Sequence, residues 1–226
     1  MVASRNSPGL LLWKELAAVL LADEFFRLAH NDATGRPLLH PRAMGIGLAA
    51  ALLAELIFAE KIIARDERLC VVDLTPPRDA LAHTTLDQLA SDPQQHAIRT
   101  WLGFLAQTSY ESVAQRLWRA GEVRREESRR LLSRAVVYVP VDPNVAAWPS
   151  ARLSMRLREG RPLDQFDAFL VGLAAATELD GHVLDGAPPK AFAYLRYVIA
   201  NVWPPVRQLL PHTEAAIGDA VLRHRI

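Results

Sequence analysis

The sequence is poor in the residues that most often announce a chemistry. Cys70 is the single cysteine, which excludes an intrachain disulfide and any metal site built from cysteines alone. That suits a reducing cytoplasm. Charge of one sign is missing too: 26 Lys and Arg stand against 25 Asp and Glu, a net charge near +1. A dedicated nucleic-acid binder is normally lopsided toward the basic side, so no nucleic-acid partner is expected. A basic start followed by an apolar run and a small-residue cleavage site is also lacking, so no secretory leader is expected.

Catalytic patterns are missing as well. There is no zincin histidine pair, no G-x-S-x-G elbow and no Walker loop. The seven histidines, His30, His40, His83, His96, His182, His212 and His224, are scattered without ligand spacing. No catalytic residue, metal or cofactor is therefore expected. Gly45-Ile46-Gly47-Leu48-Ala49-Ala50 fits a loose dinucleotide fingerprint. That motif needs a buried strand feeding the glycine turn. Here the proline-punctuated Arg36-Pro37-Leu38-Leu39-His40-Pro41 precedes it, so close helix packing explains the glycines better.

Long apolar runs are few. Ala43 to Ala59 is nearly all apolar, yet it carries Glu55 and ends at Glu60-Lys61. A spanning helix wants about 20 residues without a carboxylate near the lipid core. A buried central helix running from Pro41 to near Ala64 is the better reading.

What is present is helical periodicity and a core-sized apolar fraction of 50%. The expectation is a mainly α protein: a single compact helical domain over residues 1–226 with a small β-hairpin. Ser7-Pro8 opens a first helix whose stripe is Leu12, Leu16, Val19 and Leu20, ended by Asn31, Asp32, Gly35 and Pro37. Leu69 to Leu74 reads as a short strand. Helices follow over about Arg78–Leu89, Pro93–Leu105, Ser109–Ala120, Asn144–Glu159, Leu163–Leu179, Pro189–Leu209 and Thr213–Arg223.

The charged stretch Glu122 to Arg134 reads as helical at least in part. Arg116, Arg119, Arg124, Arg125, Arg129, Arg130 and Arg134 crowd a short length, just before Ala135-Val136-Val137-Tyr138-Val139. Ala135 to Val139 is extended by propensity and reads as one arm of an exposed hairpin, with Val141 and residues beyond Pro143 alongside. Basic side chains beside an apolar tip are what a peripheral membrane binder needs: each charge gains about 1 kcal/mol near an anionic surface. Arg124, Arg125, Arg129, Val136, Val137 and Tyr138 are the candidate membrane-facing residues.

Several stretches resemble the Golgi phosphoprotein 3 family, which has many bacterial members. They are the turn Asp32-Ala33-Thr34-Gly35-Arg36-Pro37, the helix Gly47-Leu48-Ala49-Ala50-Ala51-Leu52-Leu53-Ala54-Glu55-Leu56, then Thr100-Trp101-Leu102 and Val113-Ala114-Gln115-Arg116-Leu117-Trp118-Arg119-Ala120-Gly121. The resemblance implies a mostly helical fold with an apolar hairpin, and a non-enzymatic adaptor that is cytoplasmic and peripheral at the membrane. It also implies recognition of phosphatidylinositol 4-phosphate through a loop tryptophan and a set of arginines. The tryptophan position falls on His40, one arginine position on Ala49, and the later arginine pair near Gln107 and Tyr110. Arg42 beside His40 at a helix start, and Arg116 and Arg119 a turn apart, are the candidate head-group residues. The expected partner is an anionic phospholipid surface, with protein partners or homo-oligomerisation through the hairpin as further expectations. A scaffold of the same fold that has lost head-group recognition is the alternative. Abundant Ala, Leu and Arg fit a bacterial source.

Overall fold

The computed structural model describes residues 20–92, 97–130 and 133–222, without the side chains of 128–130, 133–135 and 220–222. The start of the expected first helix, with its stripe Leu12, Leu16 and Val19, lies outside the described residues, as do residues 93–96 of another expected helix. Helix α1 spans Leu21–Leu28. A polar turn follows in which Asn31 Oδ1 accepts from the amides of Ala33 and Thr34, the side-chain mimicry that makes Asn a turn former. Gly35 takes a left-handed conformation there.

Helix α2, Pro41–Phe58, is the axis of the core. Pro41 supplies a first helical residue with no amide to satisfy, and every residue from Met44 to Ile57 is buried. By length and composition α2 could cross a membrane, but 78% of its apolar window is buried inside the fold, so it is a core helix here. The small residues do what their pattern suggested. A β-carbon on Gly47 would lie 2.4 Å from the Phe25 ring, and one on Gly45 2.5 Å from the carbonyl oxygen of Ala106. Helices meet at those points.

The expected end of α2 near Ala64 is wrong by a whole element. The helix stops at Phe58, where the Glu60 amide donates to Ile57 O and the Lys61 amide to Leu56 O. That pairing is a Schellman stop, built here on Glu60 with φ +57° instead of a glycine. Ile62–Arg65 then forms β1, paired antiparallel with β2, Arg68–Val71. Asp66 and Glu67, both with positive φ, make the tight turn between them.

Helices α3 (Ala80–Ser91), α4 (Ile98–Leu105) and α5 (Ser109–Arg119) follow and pack around α2. Asp79 caps α3 through the amide of Ala82. Strand β3, Val123–Arg130, then pairs antiparallel with β4, Ser133–Pro140. The expected hairpin exists, but its second arm is the basic stretch itself, which is a strand and not a helix. Pairing with the β-branched run overrides the low strand propensity of Arg and Glu. The register sets Val123, Arg125 and Glu127 on one face with Pro140, Tyr138 and Val136. Val123 and Tyr138 on that face are buried.

Helix α6, Pro143–Glu159, starts on an Asp142 cap and ends at Gly160 in a left-handed conformation. Helix α7 (Gln165–Ala176), the short α8 (Asp180–Val183), α9 (Pro189–Ala200), α10 (Pro204–Arg207) and α11 (Leu209–Leu222) complete the described chain. The single helix expected over Pro189–Leu209 is broken at Asn201 to Trp203, ahead of Pro204-Pro205.

Candidate anion-binding cleft and buried ion-pair network

His40 caps α2: its Nδ1 accepts from the Arg42 amide at 3.3 Å. Both residues are exposed, and the first turn of α2 carries no acidic side chain to oppose its N-terminal amides. An open cleft of about 1010 Å³ borders this helix start, lined among others by Arg42, Arg99, Thr100, Gln107, Tyr110 and Asp219. Arg99 forms an ion pair with Asp219 across it. Gln107 and Tyr110, where the family arginine pair was expected, thus line the same cleft as Arg42.

Arg116 and Arg119 are elsewhere. They sit toward the far end of α5 from Tyr110, and nine residues of helix separate Tyr110 from Arg119, roughly 14 Å. Arg119 is exposed. Arg116 turns inward, with its side chain 13% exposed. Its Nε donates to Asp23 Oδ1 at 2.9 Å, its Nη1 to Asp79 Oδ1 at 2.9 Å, and its Nη2 lies 3.5 Å from Glu55 Oε1. The guanidinium is held inside the fold among three carboxylates and does not line the cleft, so Arg116 does not belong with it.

The hairpin residues also divide. Arg124 and Arg125 are exposed on opposite faces of β3. The side chain of Arg129 lies outside the described residues. Val136 and Val137 are half-buried, and Val136 packs against the core. Tyr138 corrects the expectation of a membrane-facing residue: it is 1% exposed, and its hydroxyl donates to Glu111 Oε1 at 2.8 Å. Alternation along the strand turns it into the fold.

The residues that sequence reasoning missed are acidic. Asp23 and Glu24 are adjacent in the first turn of α1, so their side chains diverge by about 100°. Asp23 meets Arg116 of α5. Glu24 meets Arg27 at 2.9 Å and Arg152 of α6 at 2.8 Å. Arg152 also binds Asp167 of α7 at 2.8 Å, and Arg27 pairs with Glu122 at the root of the hairpin. Glu55 Oε1 accepts from the Ala22 amide at 2.8 Å, capping α1 from a neighbouring helix. Burial pushes the Glu55 carboxyl up to about 7 and raises Asp23 and Asp167, in each case against the pull of the neighbouring arginine. The one visible signal was Glu55 itself, a carboxylate inside an apolar run.

His30 is buried and stacks on Phe26 at 4.0 Å. Its Nδ1 lies 2.6 Å from the Phe26 carbonyl; a carbonyl only accepts, so Nδ1 carries the proton. Burial holds the ring neutral, with its pKa down to about 4. Among the described residues, no group of three His, Cys, Asp or Glu side chains is arranged to hold a metal ion.

The central small-residue helix, the turn packed against a β-hairpin and the helices around them agree with the resemblance seen in the sequence. No curated protein matches the chain significantly. Residues 21–211 match the family model described as Golgi phosphoprotein 3 (GPP34), and the chain belongs to that family.

Proposed function

We propose that this protein is a non-enzymatic peripheral membrane adaptor that docks on anionic phospholipid from the cytoplasmic side. The observation that carries the reading is the cleft at the start of α2. It joins a helix N-terminus whose first turn carries no acidic side chain to Arg42 and Arg99 in a space of about 1010 Å³, large enough for a lipid head group. Helix N-termini and arginines both favour anions. Arg124 and Arg125 on the hairpin add charge that attracts any anionic surface.

The second reading is a scaffold of the same fold. Arg99 is already paired with Asp219, and Gln107 and Tyr110 bring no positive charge to the cleft. Co-sedimentation with phosphatidylcholine vesicles, with and without phosphatidylserine or phosphatidylinositol 4-phosphate, separates the two. Pelleting only with the anionic vesicles, weakened by R42A and R99A, supports docking. No pelleting at low salt leaves the scaffold.

A further inference from the structure

Glu55 is in an unusual position for a carboxyl group. It lies in the stretch of α2 from Met44 to Ile57 that is buried throughout, and its Oε2 is buried without a hydrogen-bond partner. Its Oε1 holds the Ala22 amide. The charged groups around it are Arg116 of α5, Asp23 of α1 and Asp79 ahead of α3; Arg27 and Glu122 act on Asp23 one step further out. Three carboxylates therefore share one guanidinium. Arg116 gives its short bonds to Asp23 and Asp79 and only a 3.5 Å approach to Glu55.

An ionised Glu55 would leave a charged oxygen in the core with no donor, beside two further negative charges, a costly arrangement. A neutral Glu55 costs only an unmade hydrogen bond at Oε2, and it keeps Oε1 as the acceptor for Ala22. We infer that the Asp23–Glu55–Asp79 cluster around Arg116 holds one proton near neutral pH, on Glu55, and that losing it loosens the seat of α1. The consequence reaches the hairpin, because α1 also carries Arg27, which ties Glu24 to Glu122 at the hairpin root. The cluster is a proton-sensitive joint between the core helix and the hairpin, independent of any lipid.

The sign follows from the direction of the shift. A carboxyl with a folded pKa of about 7, above its model-peptide value of 4.5, stabilises the fold fully below the lower value, and that contribution is lost as pH rises through the upper one. His30 works oppositely: kept neutral when folded, it loses stability as pH falls from 6.5 to about 4. Comparison with Glu55→Gln cancels the His30 contribution.

The test is thermal unfolding of the full chain at pH 6 and pH 8. Wild type should lose about 3 °C or more in Tm relative to E55Q over that interval. Hydrogen exchange of residues 21–28, corrected for intrinsic rates, should be faster at pH 8 in wild type but not in E55Q. Parallel Tm curves for the two proteins, or α1 exchange that ignores the substitution, would overturn the inference. If E55Q does not fold, Asp79→Asn decides: it keeps the cap oxygen and removes a neighbouring charge, so the wild-type fall must move to lower pH. An unmoved fall rejects the proposal.

Discussion

Gly35 lies against the main chain of Tyr138. A β-carbon built on Gly35 would come 2.1 Å from the Tyr138 carbonyl oxygen and 2.9 Å from the Cα of Val139. The turn that follows α1 therefore seats the base of the hairpin, backbone against backbone. Neither side has a flexible side chain to give way.

Gly35→Ala should cost about 2 kcal/mol or more, from the left-handed φ of +63° together with that overlap. Urea unfolding measures it through the midpoint. Gly160→Ala, at a similar φ but with open space around it, should cost only the backbone strain. Equal losses in the two variants would show that the contact with Tyr138 contributes nothing.

The turn between β1 and β2 should gain from a glycine. Asp66 and Glu67 have φ of +49° and +61°, the pattern of a two-residue primed turn, for which Asp-Gly is favoured. Glu67→Gly should raise stability by about 0.5–1 kcal/mol. A lowered Tm would mean that the Glu67 side chain has a role beyond its backbone angle.

Arg152 holds two buried carboxylates, Glu24 and Asp167. Arg152→Ala takes one counter-ion from each, leaving Glu24 with Arg27 and Asp167 with Arg156, so it should cost about 1–3 kcal/mol. A loss below about 1 kcal/mol by chemical denaturation, in the range of an exposed pair, would show that water reaches these groups.

If the hairpin arginines attract anionic membranes, charge reversal at Arg124, Arg125 and Arg129 should weaken vesicle binding for all anionic lipids alike. Binding should also fall as salt rises, because exposed charges are screened over about 10 Å at 0.1 M. Salt-independent pelleting would point to apolar insertion as the main attraction.

Lipid selectivity should be low. The cleft has Arg42 and Arg99 but lacks charge at Gln107 and Tyr110, so phosphatidylinositol 4-phosphate should be preferred over other anionic lipids by less than tenfold, about 1.4 kcal/mol. A larger preference that Arg42→Ala abolishes, with bulk anionic binding intact, would mean that the cleft rebuilds a specific pocket.

The sequence by itself determined the central helix α2 and the packing role of Gly45 and Gly47. It also determined α5, α6 and the presence of a hairpin at Ala135 to Val139. These are local properties, because apolar periodicity, caps such as Asp142 and β-branched runs act over a few residues. Tertiary structure alone decided the rest. Val123 to Arg130 became strand because β4 offered it a ladder, and Glu60 ended α2 in a conformation for which the sequence carries no glycine signal. Tyr138 turned inward because the register put it on the face of Val123. The ion-pair network was illegible for the same reason. Ala22 and Glu55 are 33 residues apart, and Asp23 and Arg116 are 93 apart. An arginine that reads as surface charge becomes an internal counter-ion only when folding withdraws water and brings distant carboxylates within bonding distance.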